Sequence, residues 1–140
     1  MPNQNPIYVD ALAQETPFYI DQQYANEMIN ITIDVQLMEN GWQFTSTHSI
    51  FLTGVDKYPP KTPEPIDQFI ETAVAVNNKK LSIRSSVNKF RSTSPSNIPP
   101  DVKYKLTIKA GATLLECFEK VAGKNGNTTD FNSLIRFKLQ

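Results

Sequence analysis

Cysteine and histidine occur once each in these 140 residues, as Cys117 and His48; tryptophan also occurs once, and glycine five times. A single cysteine excludes an intrachain disulfide staple. A single histidine excludes the paired imidazoles of common zinc sites and leaves a general base without its customary partners. A Cys117–His48 nucleophilic pair is formally available. Against it, Cys117 falls on the apolar stripe of an expected helix, where small thiols usually serve packing. The glycines Gly41, Gly54, Gly111, Gly123 and Gly126 stand apart, so neither a phosphate-cradling loop nor a dinucleotide fingerprint is present.

Basic residues are missing from the first 56 positions, which hold seven acids; all 14 Lys and Arg follow, beside the other seven acids. The chain is neutral in total but strongly asymmetric along its length. Long apolar runs are missing too, and the opening residues have no basic leader followed by an apolar stretch. The expectation is a soluble, cytoplasmic protein, or one exported without a signal peptide.

What is present suits a globular chain: 39% apolar and 20% charged residues, with aromatics at 10%. A chain of this length can bury roughly 70% of its unfolded surface in one domain. We expect a single domain over 1–140, with 1–28 poorly defined by any period.

Ile29, Ile31, Ile33, Val35 and Leu37 alternate with polar residues, the mark of a strand with one buried face. Asn40-Gly41 follows, the favoured pair for a two-residue type I′ turn, so a hairpin is predicted in which Leu37 faces Phe44 and Ile33 faces His48. Prolines crowd residues 54–62, which read as an extended connector. Thr62, Pro63 and Glu64 then look like a helix start, and Ile66, Phe69, Ile70, Ala73 and Val74 have helical spacing down to Val76, with Asn77-Asn78 as the exit. Residues 80–87, 102–109 and 132–140 alternate again, and 88–101 is a Ser- and Pro-rich loop. Leu114, Cys117, Phe118 and Val121 suggest a second helix capped by Gly123. The predicted class is α+β: a mainly antiparallel β-sheet, closed as a sandwich or barrel, with two amphipathic helices packed on it.

The functional expectation rests on charge. Lys80, Arg84, Lys103, Lys105, Lys109, Arg136 and Lys138 all take outward positions on three predicted strands, and would form one basic patch if those strands are neighbours. Lys89 and Arg91 in the long loop could reach round a ligand. Among the acids Asp10, Glu15, Asp21, Glu27, Asp34, Glu39 and Asp56, nothing fixes two at a separation useful for acid–base catalysis. No cofactor or metal is therefore expected, and the chain reads as a non-enzymatic assembly or protein-interaction module. Its acidic region (Asp10, Asp21, Glu27) would meet the basic sheet face of another copy, head to tail, with the carboxy-terminal strand as an edge that a neighbour extends. The alternative partner is nucleic acid or another polyanion on the same basic face. No exposed aromatics interleave with the bases, and seven acids would oppose a polyanion at long range.

Overall fold

The computed structural model describes residues 15–53, 58–59 and 65–140. Eight strands account for most of them: β1 (Glu15–Ile20), β2 (Met28–Leu37), β3 (Trp42–Leu52), β4 (Ile66–Thr72), β5 (Lys80–Arg91), β6 (Val102–Ala110), β7 (Thr113–Ala122) and β8 (Thr128–Leu139). They form two four-stranded sheets, sheet A in the order β1-β8-β5-β3 and sheet B in the order β4-β2-β6-β7. All neighbours are antiparallel except β1 and β8. The two sheets enclose one core, as in a β-sandwich.

Alternation in the sequence becomes alternation in burial. Ile29, Ile31, Ile33 and Val35 of β2 point inward, as do Leu81, Ile83 and Val87 of β5 and Tyr104, Leu106 and Ile108 of β6. Each such aliphatic side chain contributes about 1.5–3 kcal/mol by leaving water. Phe18 of β1 meets Phe137 of β8 edge to face, 6.1 Å between ring centroids, which fixes the parallel pair against the core.

The predicted α+β class is corrected to nearly all-β. The first expected helix is strand β4, which turns Ile66, Gln68 and Ile70 inward and leaves Phe69 outside. Only four helical residues follow, α1 (Ala73–Val76), with Thr72 Oγ accepting from Ala75 N–H and the chain leaving at Asn78 with φ 67°. The proposed cap at Thr62–Glu64 lies outside the described residues. The second expected helix is strand β7, joined to β6 by the tight turn at Gly111-Ala112. Glu116 pairs with Ile108 and Leu114 with Lys109, so Leu115 is an extra residue, a bulge. The bulge shifts the alternation and leaves Leu114, Cys117, Phe118 and Val121 at a spacing that imitates a helical stripe.

The predicted hairpin is also overturned. β2 pairs with β4 and β6, while β3 pairs with β5 in the other sheet, so Ile33 lies opposite Leu106 and His48 opposite Ser85. A type I′ turn needs positive φ at two residues; among residues 40 and 41 only Gly41 has it, at 84°. The connection instead crosses from sheet B to sheet A. It is held there by the Gly41 carbonyl, which accepts from the N–H groups of Ser92, Thr93 and Ser94 at 2.8, 2.9 and 3.1 Å. Finally, β8 is an interior strand between β1 and β5, so the expected carboxy-terminal edge does not exist. Among the described residues the edges are β1 and β3 in sheet A and β4 and β7 in sheet B.

Candidate interaction surfaces

The predicted basic strands divide between the sheets. Lys80 and Arg84 on β5, with Arg136 and Lys138 on β8, lie on the outer face of sheet A; Lys103, Lys105 and Lys109 on β6 lie on the outer face of sheet B. The seven therefore do not share one face, because β6 is separated from β5 and β8 by the thickness of the core.

Many of these bases meet acids or carbonyls of their own chain. On sheet A, Lys80 and Arg136 are register partners, and Glu15 bridges both: its carboxylate accepts from Arg136 Nε and stands 3.4 Å from Lys80 Nζ. The hydrogen bond from Arg136, opposed by desolvation and helped by the charges of Arg136 and Lys80, holds the Glu15 carboxyl below its ordinary value. Arg136 Nη1 also donates to Asn78 O and Lys138 Nζ to Asn78 Oδ1, both at 2.8 Å. On sheet B, Lys105 lies between Asp34 and Glu119 in the strand register, and Lys103 Nζ is 3.8 Å from Glu119.

The three predicted acidic contacts have separate places. Asp10 is outside the described residues. Asp21 Oδ1 accepts from Gln23 N–H at 2.9 Å, capping a 3₁₀ turn at Gln22–Tyr24, and that bond lowers its pKa. Glu27 lies beside the Gly111 turn, close to where a β-carbon there would stand.

His48 lies in the core. Its Nδ1 is 2.7 Å from Ser85 Oγ, which is 2.8 Å from the Tyr104 hydroxyl. This chain crosses from sheet A to sheet B, and Tyr104 stacks on Phe131 with centroids 4.5 Å apart. All three polar side chains are at most 3% exposed, so a substrate cannot reach the serine that the histidine touches. Burial pushes the Tyr104 hydroxyl pKa far up, partly opposed by the Ser85 bond. Cys117 is exposed on the outer face of sheet B, in register with Thr107, whereas His48 points inward from sheet A; the two do not form a pair.

Lys89 is not in a loop reaching for a ligand. β5 runs on to Arg91, and Lys89 keeps the inward parity of Val87. Its Nζ donates to the carbonyls of Pro100 at 2.9 Å and Gly123 at 2.6 Å, pinning the 92–101 connection to the end of the sandwich. Desolvation lowers its pKa, partly opposed by Asp101. Extending the alternation of 81–87 by two residues would have revealed this inward position.

Two surface features escaped the charge argument. Large exposed apolar side chains occur on both sheets and are more numerous on sheet B, where Phe69 and Leu114 are each 58% exposed and Val121 and Met28 about half exposed, than on sheet A, which has Phe51 and Phe90. The register places Phe69, Asn30, Lys109 and Leu114 in one row across all four strands, about 14 Å at the usual strand spacing. The outer face of sheet A is also rich in hydroxyls, with Thr45, Thr47 and Ser49 on β3 beside Ser82 and Ser86 on β5, and with Phe51 opposite Ser82. The second feature is a cleft of about 450 Å³ at one end of sheet A, lined by Trp42, Phe90, Arg91, Asn97, Asn127 and Thr128 among others. The Trp42 indole N–H is buried beside it without an acceptor among the described residues.

Among the described residues no cluster of His, Cys, Asp or Glu could hold a metal ion, and no helix is long and apolar enough to cross a membrane. Compared with protein-family models, with curated proteins and with solved structures, the chain gave no match.

Proposed function

We propose that this chain is a non-enzymatic assembly module that associates with further copies of itself through sheet B. The observation that carries the reading is that four large apolar side chains, Phe69, Leu114, Val121 and Met28, stand exposed on strands of sheet B whose inner faces already fill the core, against two, Phe51 and Phe90, on sheet A. A contact that covers sheet B would remove this apolar surface from water. The contact is apolar in origin. Glu15 meets Lys80 and Arg136 within one chain, and Lys103 and Lys105 have acids beside them, which leaves less unmatched charge for a head-to-tail or polyanion contact than the sequence suggests.

Sedimentation across a concentration series tests this. The wild type should associate, the association should persist at high salt, where screening removes exposed charge attraction, and the pair Phe69→Ser with Leu114→Ser should weaken it without lowering the melting temperature. A protein that stays monomeric up to about 1 mM, weaker than any specific contact of use, overturns the reading.

A second reading is favoured by the cleft at Trp42. A lining of Trp42, Phe90, Arg91 and three asparagines, with an indole donor that has no acceptor among the described residues, suits a small hydroxyl-bearing ligand. Trp42 is the only tryptophan, so its fluorescence on titration with mono- and disaccharides reports on this cleft alone; unchanged emission throughout removes the reading.

A further inference from the structure

We infer that the cleft at the end of sheet A holds an acidic monosaccharide, its carboxylate on Arg91 and its ring against Phe90. The inference rests on the second reading above, a small hydroxyl-bearing ligand beside Trp42, and specifies the charge of that ligand.

The strand ends build the cleft. The pairing of β5 with β8 stops at Asn88 and Thr128, whereas its pairing with β3 continues to Arg91 and Trp42. The cleft takes its walls from both ends of this step, and its volume of about 450 Å³ is that of a small-molecule site. Asn97 adds to the lining from the 92–101 connection. That connection is held in place by Lys89 Nζ, which donates to Pro100 O, and by Ser92, Thr93 and Ser94, whose N–H groups donate to Gly41 O. Walls fixed before a ligand arrives lower the ordering cost of binding.

The lining offers donors and positive charge, and none of the side chains in it is acidic. The Trp42 indole N–H is buried with no acceptor among the described residues, and an indole can only donate. Thr128 Oγ1 donates to Asn88 Oδ1 at 2.7 Å, which engages the oxygen of that amide and leaves its nitrogen as a further donor. Lys89 also lines the cleft, but its ammonium is taken by the carbonyls of Pro100 and Gly123. The charge available to a ligand is that of Arg91: the side chain is exposed, and no acid lies within ion-pair distance of it among the described residues. A guanidinium presents parallel N–H groups in one plane, the geometry that a carboxylate accepts. A carboxylate only accepts, so it suits a donor-rich wall better than a hydroxyl, which must place its own proton as well. Phe90, exposed and next to Arg91 in the chain, offers an apolar face for the C–H groups of a sugar ring. Asn97 and Asn127 carry amides that both donate to and accept from hydroxyls.

Titration of the intact chain with sodium glucuronate, glucose and sodium acetate at constant ionic strength tests this, read by Trp42 emission and by calorimetry. Glucuronate should bind about tenfold more tightly than glucose, the difference between a charge-assisted and a neutral hydrogen bond. It should also bind more tightly than acetate, which has the charge without the ring. Arg91→Gln should bring glucuronate down to the level of glucose, and Arg91→Lys should keep part of the preference, because it retains the charge without the fork. Glucose bound as tightly as glucuronate, or a preference that survives Arg91→Gln, overturns the acidic ligand and leaves the cleft reading standing. Acetate that matches glucuronate overturns it too, since the ring and its hydroxyls then contribute nothing. No emission change and no heat with either sugar removes the cleft reading as well.

Discussion

The hydroxyl of Ser85 lies 2.8 Å from that of Tyr104, joining the central strands of the two sheets inside the core. Replacing Tyr104 by Phe removes this bond and keeps the stack on Phe131, so stability at neutral pH should fall by about 1 kcal/mol. The pH dependence gives a sharper signature. Burial raises the Tyr104 pKa above its ordinary value of 10.0, so above that pH the unfolded chain loses a proton that the folded chain keeps. The wild type should therefore lose stability as pH rises past 10, and Tyr104→Phe should lose less. Urea midpoints between neutral pH and pH 11 measure both. Equal alkaline slopes in the two proteins would contradict the placement of Tyr104.

Glu15 ties the edge strand β1 to the bases of β5 and β8. Its pKa is lowered, so the stabilisation it gives is present above the ordinary carboxylate value of 4.5 and disappears as pH falls through the lowered one. Glu15→Gln should lower the melting temperature at pH 7 in low salt. The difference should vanish in strong acid, and shrink in molar salt because the pair is exposed. A difference that persists unchanged at low pH would place the effect in packing rather than charge.

Gly41 and Gly126 make a contrasting pair. A β-carbon at Gly41 would stand 2.7 Å from Ser94 Cα, at a residue with φ of 84°, whereas at Gly126 the nearest atom is 3.4 Å away, an ordinary contact. Gly41→Ala should cost more than about 2 kcal/mol, combining backbone strain with displacement of the 92–94 segment. Gly126→Ala should fall within about 1 kcal/mol of wild type. Denaturant unfolding of both variants checks the ordering, and equal losses would show that the Gly41 corner does not constrain the fold.

Lys89 ties two loops together at the end of the sandwich by donating to the Pro100 carbonyl and to the Gly123 carbonyl, which also accepts from Gly126 N–H. Lys89→Met keeps the stem and removes the ammonium, and should cost about 2–3 kcal/mol, as expected for hydrogen bonds from a charged group. Amide exchange should quicken at Asn125 and Lys124, whose N–H groups donate to Pro99 O and Asp101 Oδ1 on the pinned connection. Unchanged exchange there would mean that the connection holds without the lysine.

Legibility along the chain tracks how much each strand buries. β2, β5, β6 and β8 lie inside their sheets, and the inward positions of Ile29–Val35, Leu81–Val87, Tyr104–Ile108 and Ile135–Phe137 show directly as alternation. β4 and β7 are edges. In β4 a buried Gln68 and an exposed Phe69 invert the expected hydrophobic pattern, and in β7 the extra Leu115 shifts it by one residue. Both then imitate a helical stripe, because a short window of apolar residues fits either period. The candidate surfaces were hidden for a related reason: an exposed Phe69 reads as core material until its neighbours are known, and the bases read as one patch until β6 is found in the other sheet.

Local chemistry alone determined which interior segments are strands, which of their residues face inward, and that residues 77–78 end an element, since these depend on each side chain's preference for water or core and on backbone geometry within a few residues. Tertiary structure alone decided that Gly41 turns the chain between sheets, that Glu15 pairs with Lys80 and Arg136 from more than sixty positions away, and that β6 lies in the other sheet from β5 and β8. Those outcomes depend on which strands pair, and pairing is settled by filling one shared core across the whole chain.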